Sequence, residues 1–209
     1  MKKYFMEKAL LLISGGIDSP VAGLIAKEKF ELEAIHFSQE PFTDSTPEEK
    51  SLAAAKKIGI KELIVIEAGK ELQKIADTTY REYYFVLMKI FFMKVSERIA
   101  GKKEINYLLT GESLGQVSSQ TLRNLQSINS TVKIEILRPL LFFDKQKIID
   151  LSRKNDLFEI SCGKEMCDAL ATGKPKTQTK KFKLDREIEK CKMENLVESA
   201  LKKIRIEKI

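Results

Sequence analysis

Ser14-Gly15-Gly16-Ile17-Asp18-Ser19 decides the fold, because it joins an apolar run, Ala9 to Ile13, to a helical pattern that begins with Pro20 and runs to about Phe30. A buried strand, a glycine turn and a helix in that order make an anion-receiving corner. The glycines let the backbone turn tightly and approach a phosphate, the helix N-terminus and exposed amides supply partial positive charge, and the two serine hydroxyls add donors. Asp18 makes sense beside phosphates if it holds Mg²⁺, directly or through water, since the metal bridges like charges. The string is not a Walker loop, for it lacks the G-x-x-x-x-G-K-[ST] spacing and the closing lysine.

Working outward, strand patterns alternate with helical ones. A second strand ends at His36 and Phe37. Thr46-Pro47-Glu48-Glu49 reads as a capping box with proline at the first helical position, opening a helix that ends near Gly59. Glu62 to Glu67 is a third strand. Tyr84, Phe85, Met88, Phe91, Phe92, Val95 and Ile99 recur at helical spacing, predicting a long helix from about Thr79 to Ala100 whose aromatics face the core. Ile105 to Leu109 and Val132 to Leu137 give the fourth and fifth strands, with a helix over Val117 to Ile128 between them. Asp144 caps a helix to about Lys154. Parallel neighbours need crossovers long enough to hold a helix, so the expected fold is α/β, a doubly wound parallel five-stranded sheet of Rossmann-like type. Ligands on such sheets sit at the carboxyl ends of the strands.

The repeating pattern stops from about Ser161 to Lys183, a basic loop precedes a terminal helix at Arg186 to Lys203, and no internal repeat is present. The expected organisation is therefore residues 1–160 as the nucleotide domain, with 161–209 as a cysteine-bearing basic loop and helix packed on it. Lys and Arg number 37 against 30 acidic residues, a net charge of +7 that suits a polyanionic partner. No apolar run approaches the length of a membrane span, and the N-terminal stretch is followed by no small-residue cleavage site. The expectation is a cytoplasmic protein. Three cysteines, Cys162, Cys167 and Cys191, with no C-x-x-C pair, signal neither a zinc ribbon nor a redox dithiol.

Ser14 to Ser19 resembles the pyrophosphate loop (PP-loop) of the N-type ATP pyrophosphatases, the adenine nucleotide alpha hydrolase-like group. The longer string Ser14 to Gly23 is similar to that of the ThiI family of tRNA 4-thiouridine synthetases. Ala34-Ile35-His36-Phe37 with Pro41-Phe42-Thr43 resembles the family's second strand and adenine-side loop. Gly111-Glu112-Ser113-Leu114-Gly115-Gln116-Val117-Ser118-Ser119-Gln120-Thr121-Leu122 is similar to its most distinctive stretch, and Leu137-Arg138-Pro139-Leu140 with Asp144-Lys145-Gln146 to the segment that carries a catalytic lysine. The resemblance covers nearly the whole chain.

It implies ATP and Mg²⁺ as cofactors, held by Leu12, Ile13, Ser14, Gly15, Gly16, Ile17, Asp18, Ser19, His36, Phe37, Gly111, Glu112, Ser113 and Gln120, with Asp18 on the metal and Lys145 on the phosphates. Gln116 and Ser119 could equally be helix-capping and surface residues. His36 is the only histidine, expected at the nucleotide rather than in acid-base work. The resemblance places a persulfide on Cys167, although the stretch after Ser161 is shorter than in the family. Aligned from the left, Cys162 fits instead, and it could also serve as the second thiol. Arg81, Arg123, Lys174, Lys176, Lys180 and Lys181 are candidates for tRNA contact, with Lys183 and Phe182 among them.

Two departures from the family bear on partners. Its usual THUMP extension would precede a loop that here begins at residue 14, so either the tail and a homodimer surface hold RNA, or a separate RNA-binding subunit does, or the substrate is not tRNA. A rhodanese-like domain is likewise not expected, which would leave a cysteine desulfurase or other persulfide donor to supply the sulfur. Some related enzymes use an iron-sulfur cluster on three cysteines, which the spacing here disfavours. An adenylating ligase with the same loop, or a nucleotide- or RNA-binding subunit without turnover, are the alternatives, and Cys167 distinguishes the first of them.

Overall fold

A computed structural model describes residues 6–115, 120–163, 170 and 176–209. Its centre is β1 (Glu7–Leu12), flanked by β2 (Phe30–Ser38) and β4 (Tyr107–Leu109), with β3 (Glu62–Glu67) beyond β2 and β5 (Glu135–Leu137) beyond β4. These five strands are parallel, as expected from the helix-length segments between them. A sixth, β6 (Ile204–Lys208), pairs antiparallel with β3, so the sheet order is β5-β4-β1-β2-β3-β6. The expected five strands are thus corrected to six among the described residues. Five residues of alternating isoleucine and charge, largely exposed, bury too little surface to announce a strand.

The pleat sorts the core by alternation. Leu11, Ala34, Leu63 and Val65 face one side, where α1 (Asp18–Ala26) and α2 (Thr46–Ile58) pack. Leu10, Ile35, Ile64 and Ile66 face the other, covered by α3 (Gly69–Thr78) and α4 (Tyr84–Lys102), with a 3₁₀ turn over Arg81–Tyr83 leading into the latter. The aromatics of α4 are core, as their spacing predicts: Tyr84 and Phe91 are buried, and Phe92 stacks on Phe37 with ring centroids 4.1 Å apart. Behind β4 follow α5 (Leu122–Asn129), α6 (Lys145–Lys154) and α7 (Phe158–Ser161).

Several boundaries move for local reasons. Helix α1 begins at Asp18, two residues before Pro20, so the acid of the loop lies in the first helical turn. The capping box does not form: Ser45 is the N-cap without a side-chain cap bond, and its hydroxyl bonds Glu49 at 2.6 Å. Asp144 does cap α6, accepting from the Lys147 amide at 2.7 Å. The predicted start of the helix at Val117 lies outside the described residues, and Thr121 caps α5 by accepting from Asn124 at 3.2 Å. The single terminal helix becomes α8 (Lys181–Lys190) and α9 (Met193–Ala200), broken where Lys192 takes a left-handed backbone with φ 52°. Both pack into the core under α4, so Lys181, Phe182 and Lys183 belong to a helix rather than a loop. Among the described residues no helix is long and apolar enough to cross a membrane.

Candidate functional site

At the carboxyl edge the Ile13 amide still donates to Ile35, after which the chain turns into the loop. The Ser14 amide donates to Ser19 Oγ at 2.8 Å, and the two hydroxyls stand 3.1 Å apart. The serines therefore brace the loop against the first turn of α1 rather than both pointing at a ligand. No side chain caps α1, which leaves its first amides to an anion. Gly15 lets α2 lie directly on the loop, since a Cβ there would stand 3.1 Å from both the Cα and the carbonyl oxygen of Pro47. Gly111 is tighter, its absent Cβ falling 2.5 Å from the Ser19 amide nitrogen. The end of β4 thus presses on the opening of α1, and the first and fourth strand ends become one site.

A cavity of about 370 Å³ opens over the loop, within the range of small-ligand sites. Leu12 to Gly16 line it together with His36 and Phe37 from the end of β2, Pro47, Glu48 and Lys50 from α2, Met88, Lys89 and Phe92 from α4, and Gln120. Of the expected nucleotide residues, Leu12, Ile13, Ser14, Gly15, Gly16, His36, Phe37 and Gln120 are brought together here. Ile17, Asp18, Ser19, Gly111, Glu112 and Ser113 adjoin through the loop and the β4 end without lining the cavity.

His36 is buried, its Nδ1 lying 3.1 Å from the Ile13 carbonyl oxygen and 3.0 Å from Ser51 Oγ. The carbonyl must accept, so Nδ1 bears the proton, and Ser51 passes its own to Pro47 at 2.7 Å. Burial lowers the His36 pKa, outweighing the pull of the Ile13 carbonyl and Glu48. The ring is thereby a neutral strut between strand and loop.

Glu112 is buried, not solvated. Its carboxylate accepts from Lys89 at 2.5 Å, from Arg138 Nε at 2.7 Å and from Thr110 at 3.3 Å. Burial by itself would raise its pKa, but the Lys89 ammonium and Arg138 guanidinium outweigh that and hold it below the ordinary value. Two cations against one anion leave the trio with a positive surplus, and Lys89 is the member that reaches the cavity. Sequence reasoning missed Lys89, a lysine on an apolar helix, as it did Lys50. Only the tertiary placement of their helices distinguishes them from solvated lysines.

Asp18 and Lys145, far apart in sequence, meet at 2.6 Å, both partly exposed. The ammonium sits on the carboxylate in the first turn of α1, which puts Lys145 beside the Ser14–Ser19 loop. Ser113 Oγ donates to Phe143 at 2.9 Å and the Leu114 amide to Leu141 at 2.9 Å, fixing the loop ahead of Lys145 to the Gly111 segment. Gln120 accepts from the Ser113 amide at 3.3 Å, while Gln116 and Ser119 lie outside the described residues.

Cys162 is exposed and follows α7, whose Ser161 hydroxyl donates to the Gly16 carbonyl at 3.3 Å. Cys167 and Lys174 lie outside the described residues. Cys191 is buried, and burial pushes its pKa up to about 11, which marks an inert thiol. Among the described residues no three of His, Cys, Asp and Glu gather into a metal-binding group. Arg81, Arg123 and Lys176 lie close together: the Lys176 amide donates to the carbonyl of Glu82, next to Arg81, at 2.8 Å, and Arg123 bonds Gln178 at 3.0 Å, two residues before Lys180 and three before Lys181.

Comparison with known proteins places the family and the fold. The chain is 39% identical over 209 residues to a "Probable tRNA sulfurtransferase" of Alkaliphilus oremlandii, covering 97% of this chain and 53% of that protein. Against the protein so named in Brevibacillus brevis the identity is also 39%, over 97% of this chain and 52% of the other. Among solved structures, "Crystal structure of a 4-thiouridine synthetase - RNA complex with bound ATP" superposes with a TM-score of 0.90 at 29% identity, over 97% of this chain and 55% of that one. The chain thus spans about half the length of the relatives it matches. The family model described as "Thiamine biosynthesis protein (ThiI)" matches residues 4–193, which takes in the loop, the β4 end, the Lys145 helix and all three cysteines, and the chain belongs to that family.

Proposed function

We propose that this chain carries the ATP-using half of a tRNA sulfurtransferase: it adenylates a uridine and then replaces the activated oxygen with sulfur from a cysteine persulfide. The observation that carries the reading is the cavity in which Leu12 to Gly16, His36, Phe37 and Gln120 converge beside the Asp18–Lys145 pair.

In this reading the backbone at Leu12 and Ile13, with His36 and Phe37, holds adenine, while the loop amides and the start of α1 receive the phosphates. Lys89 adds its surplus charge to the cavity. The carbonyl oxygen of the uridine attacks the α phosphorus and pyrophosphate departs, with Lys145 stabilising the charge that collects on the leaving group. A single partly exposed carboxylate, Asp18, fits Mg²⁺, which keeps several waters and takes few protein ligands. When bound, that ion neutralises phosphate charge. The persulfide sulfur then attacks the activated carbon and AMP leaves. A second thiol attacks the cysteine sulfur of the resulting link, a disulfide forms, and thiouridine is released. Cys167 and Cys162 are the two thiols; an external thiol reductant must return their disulfide to free thiols, after which a cysteine desulfurase or similar donor recharges the persulfide. Residues 161–209 act as the sulfur- and RNA-handling part on the nucleotide domain of 1–160, with Arg81, Arg123, Lys174, Lys176, Lys180 and Lys181 on the RNA.

ATP–pyrophosphate exchange with and without bulk tRNA tests the assignment. Exchange is expected to require RNA and to survive Cys167→Ala, whereas thiouridine formation with a persulfide donor is lost in that variant. Full exchange without RNA would replace the sulfurtransferase by an adenylating ligase. Absence of both exchange and nucleotide binding would leave a subunit without turnover.

A further inference from the structure

Lys50 of α2 makes three connections that the nucleotide reading leaves unused. Its stem packs on the loop, its Cβ lying 3.3 Å from where a Cβ of Gly15 would stand. Its ammonium donates to the carbonyl oxygen of Cys162 at 2.8 Å. It also lines the cavity. A second tie lies beside it, for Ser161 Oγ donates to the Gly16 carbonyl at 3.3 Å. Directly afterwards the chain turns at Gly163 with φ 111°, a left-handed conformation in which a Cβ would also sit 3.5 Å from the Lys50 ammonium. Residues 161–163 are therefore fastened to the phosphate loop at both of its glycines, through Lys50 against Gly15 and through Ser161 on Gly16.

We propose that Lys50 is a positioning residue for the sulfur-transfer half-reaction, clasping the backbone at Cys162 to the phosphate loop so that sulfur delivery starts from the rim of the adenylation site. This rests on the sulfur-transfer reading above. The chemistry favours a lysine for the task. A charge-assisted bond to a carbonyl is stronger than a neutral one, and a flexible four-carbon stem lets one residue lean on the loop while its head reaches across to another segment. In that reading adenylation uses the loop, the cavity above it and Lys145, none of which belongs to residues 161–163. Sulfur transfer needs the loop and residues 161–163 together, and Lys50 touches both.

Lys50→Met keeps the stem and removes the ammonium, and it is compared with Lys50→Arg and Ser161→Ala by two measurements. The first is amide hydrogen exchange of residues 161–163 in the protein without substrates. Loss of one charge-assisted bond predicts exchange faster by about tenfold in Lys50→Met, in the same direction in Ser161→Ala, and largely restored in Lys50→Arg. Unchanged exchange in Lys50→Met overturns the clasp whatever the enzyme does. The second is the ratio of thiouridine formed to pyrophosphate exchanged, expected to fall at least about tenfold in Lys50→Met, because a misplaced reacting group costs the step that uses it. A constant ratio, with both activities falling together or neither falling, overturns the positioning role and makes Lys50 a nucleotide contact or a bystander. A wild-type protein that exchanges no pyrophosphate and makes no thiouridine, yet has the clasp by hydrogen exchange, rejects the sulfurtransferase reading instead.

Discussion

Glu112 holds two cations in a place water hardly reaches, and the two are not equivalent. Arg138 alone can neutralise it, so Lys89 is the surplus charge. Lys89→Met leaves a neutral buried pair, whereas Glu112→Gln leaves two buried cations without their anion, a loss of about 3–5 kcal/mol by analogy with other broken buried pairs. Urea unfolding should therefore rank Glu112→Gln far below wild type and Lys89→Met close to it, while ATP affinity falls in both. Equal destabilisation would show that Lys89 is structural. His36 supplies a second check, aided by its being the only histidine. Its folded pKa lies below the ordinary value of about 6.5, so between the two values the unfolded chain binds more protons. The stability from keeping His36 neutral is complete above pH 6.5 or so and is lost as the pH falls through the lower, folded value. Urea midpoints of wild type and His36→Gln measured down to pH 5 should converge as the pH drops, and parallel curves would contradict the neutral strut.

The strand-loop-helix of Ala9 to Ala26 was legible because it is local: apolar run, glycines and helix follow one another in sequence, and the pleat and the helix period are visible in a window. The long α4 was legible for the same reason. What sequence did not reveal depends on distant partners. Strand β6 exists because β3 offers an edge, the break between α8 and α9 has no glycine or proline to announce it, and Lys50 and Lys89 gain meaning only where their helices meet the loop. Pairing of Asp18 with Lys145 was foreshadowed only by placing both at phosphates. The β4 end pressing on α1 is also tertiary, and it supports a sharp contrast between glycines. At Gly111 an added Cβ meets backbone at 2.5 Å, which cannot yield, whereas at Gly23 it meets the Leu11 side-chain end at 2.6 Å, which can rotate. Gly111→Ala should abolish nucleotide binding measured by calorimetry. Gly23→Ala, adding a methyl inside a packed core, should cost about 1–3 kcal/mol of stability while retaining binding. The reverse order would mean that the two strand ends do not share one site.

Across the whole molecule the net charge of +7 is unevenly useful, because many lysines are paired: Lys145 with Asp18, Lys203 with Glu71, Lys94 with Glu194. Lys180 and Lys181 stand exposed at the start of α8, close to Arg81, Arg123 and Lys176. A helix N-terminus is a poor place for cations, since they oppose the macrodipole, so a gain elsewhere should explain two in succession there. Contact with a phosphate backbone would supply that gain, and the proposed RNA role fixes what substitution should do. Lys180→Glu with Lys181→Glu favours the helix electrostatically, so loss of folding is not the expected consequence. RNA affinity should fall, and because each phosphate contact contributes about 0.7–0.9 to the slope of log affinity against log salt, the slope should flatten by roughly one to two units. Nucleotide affinity should stay constant, as the cavity is lined by other residues. Filter binding of tRNA between low and physiological salt decides it: a variant with the wild-type slope would place the RNA on another face, and the excess charge of α8 would then need a different partner.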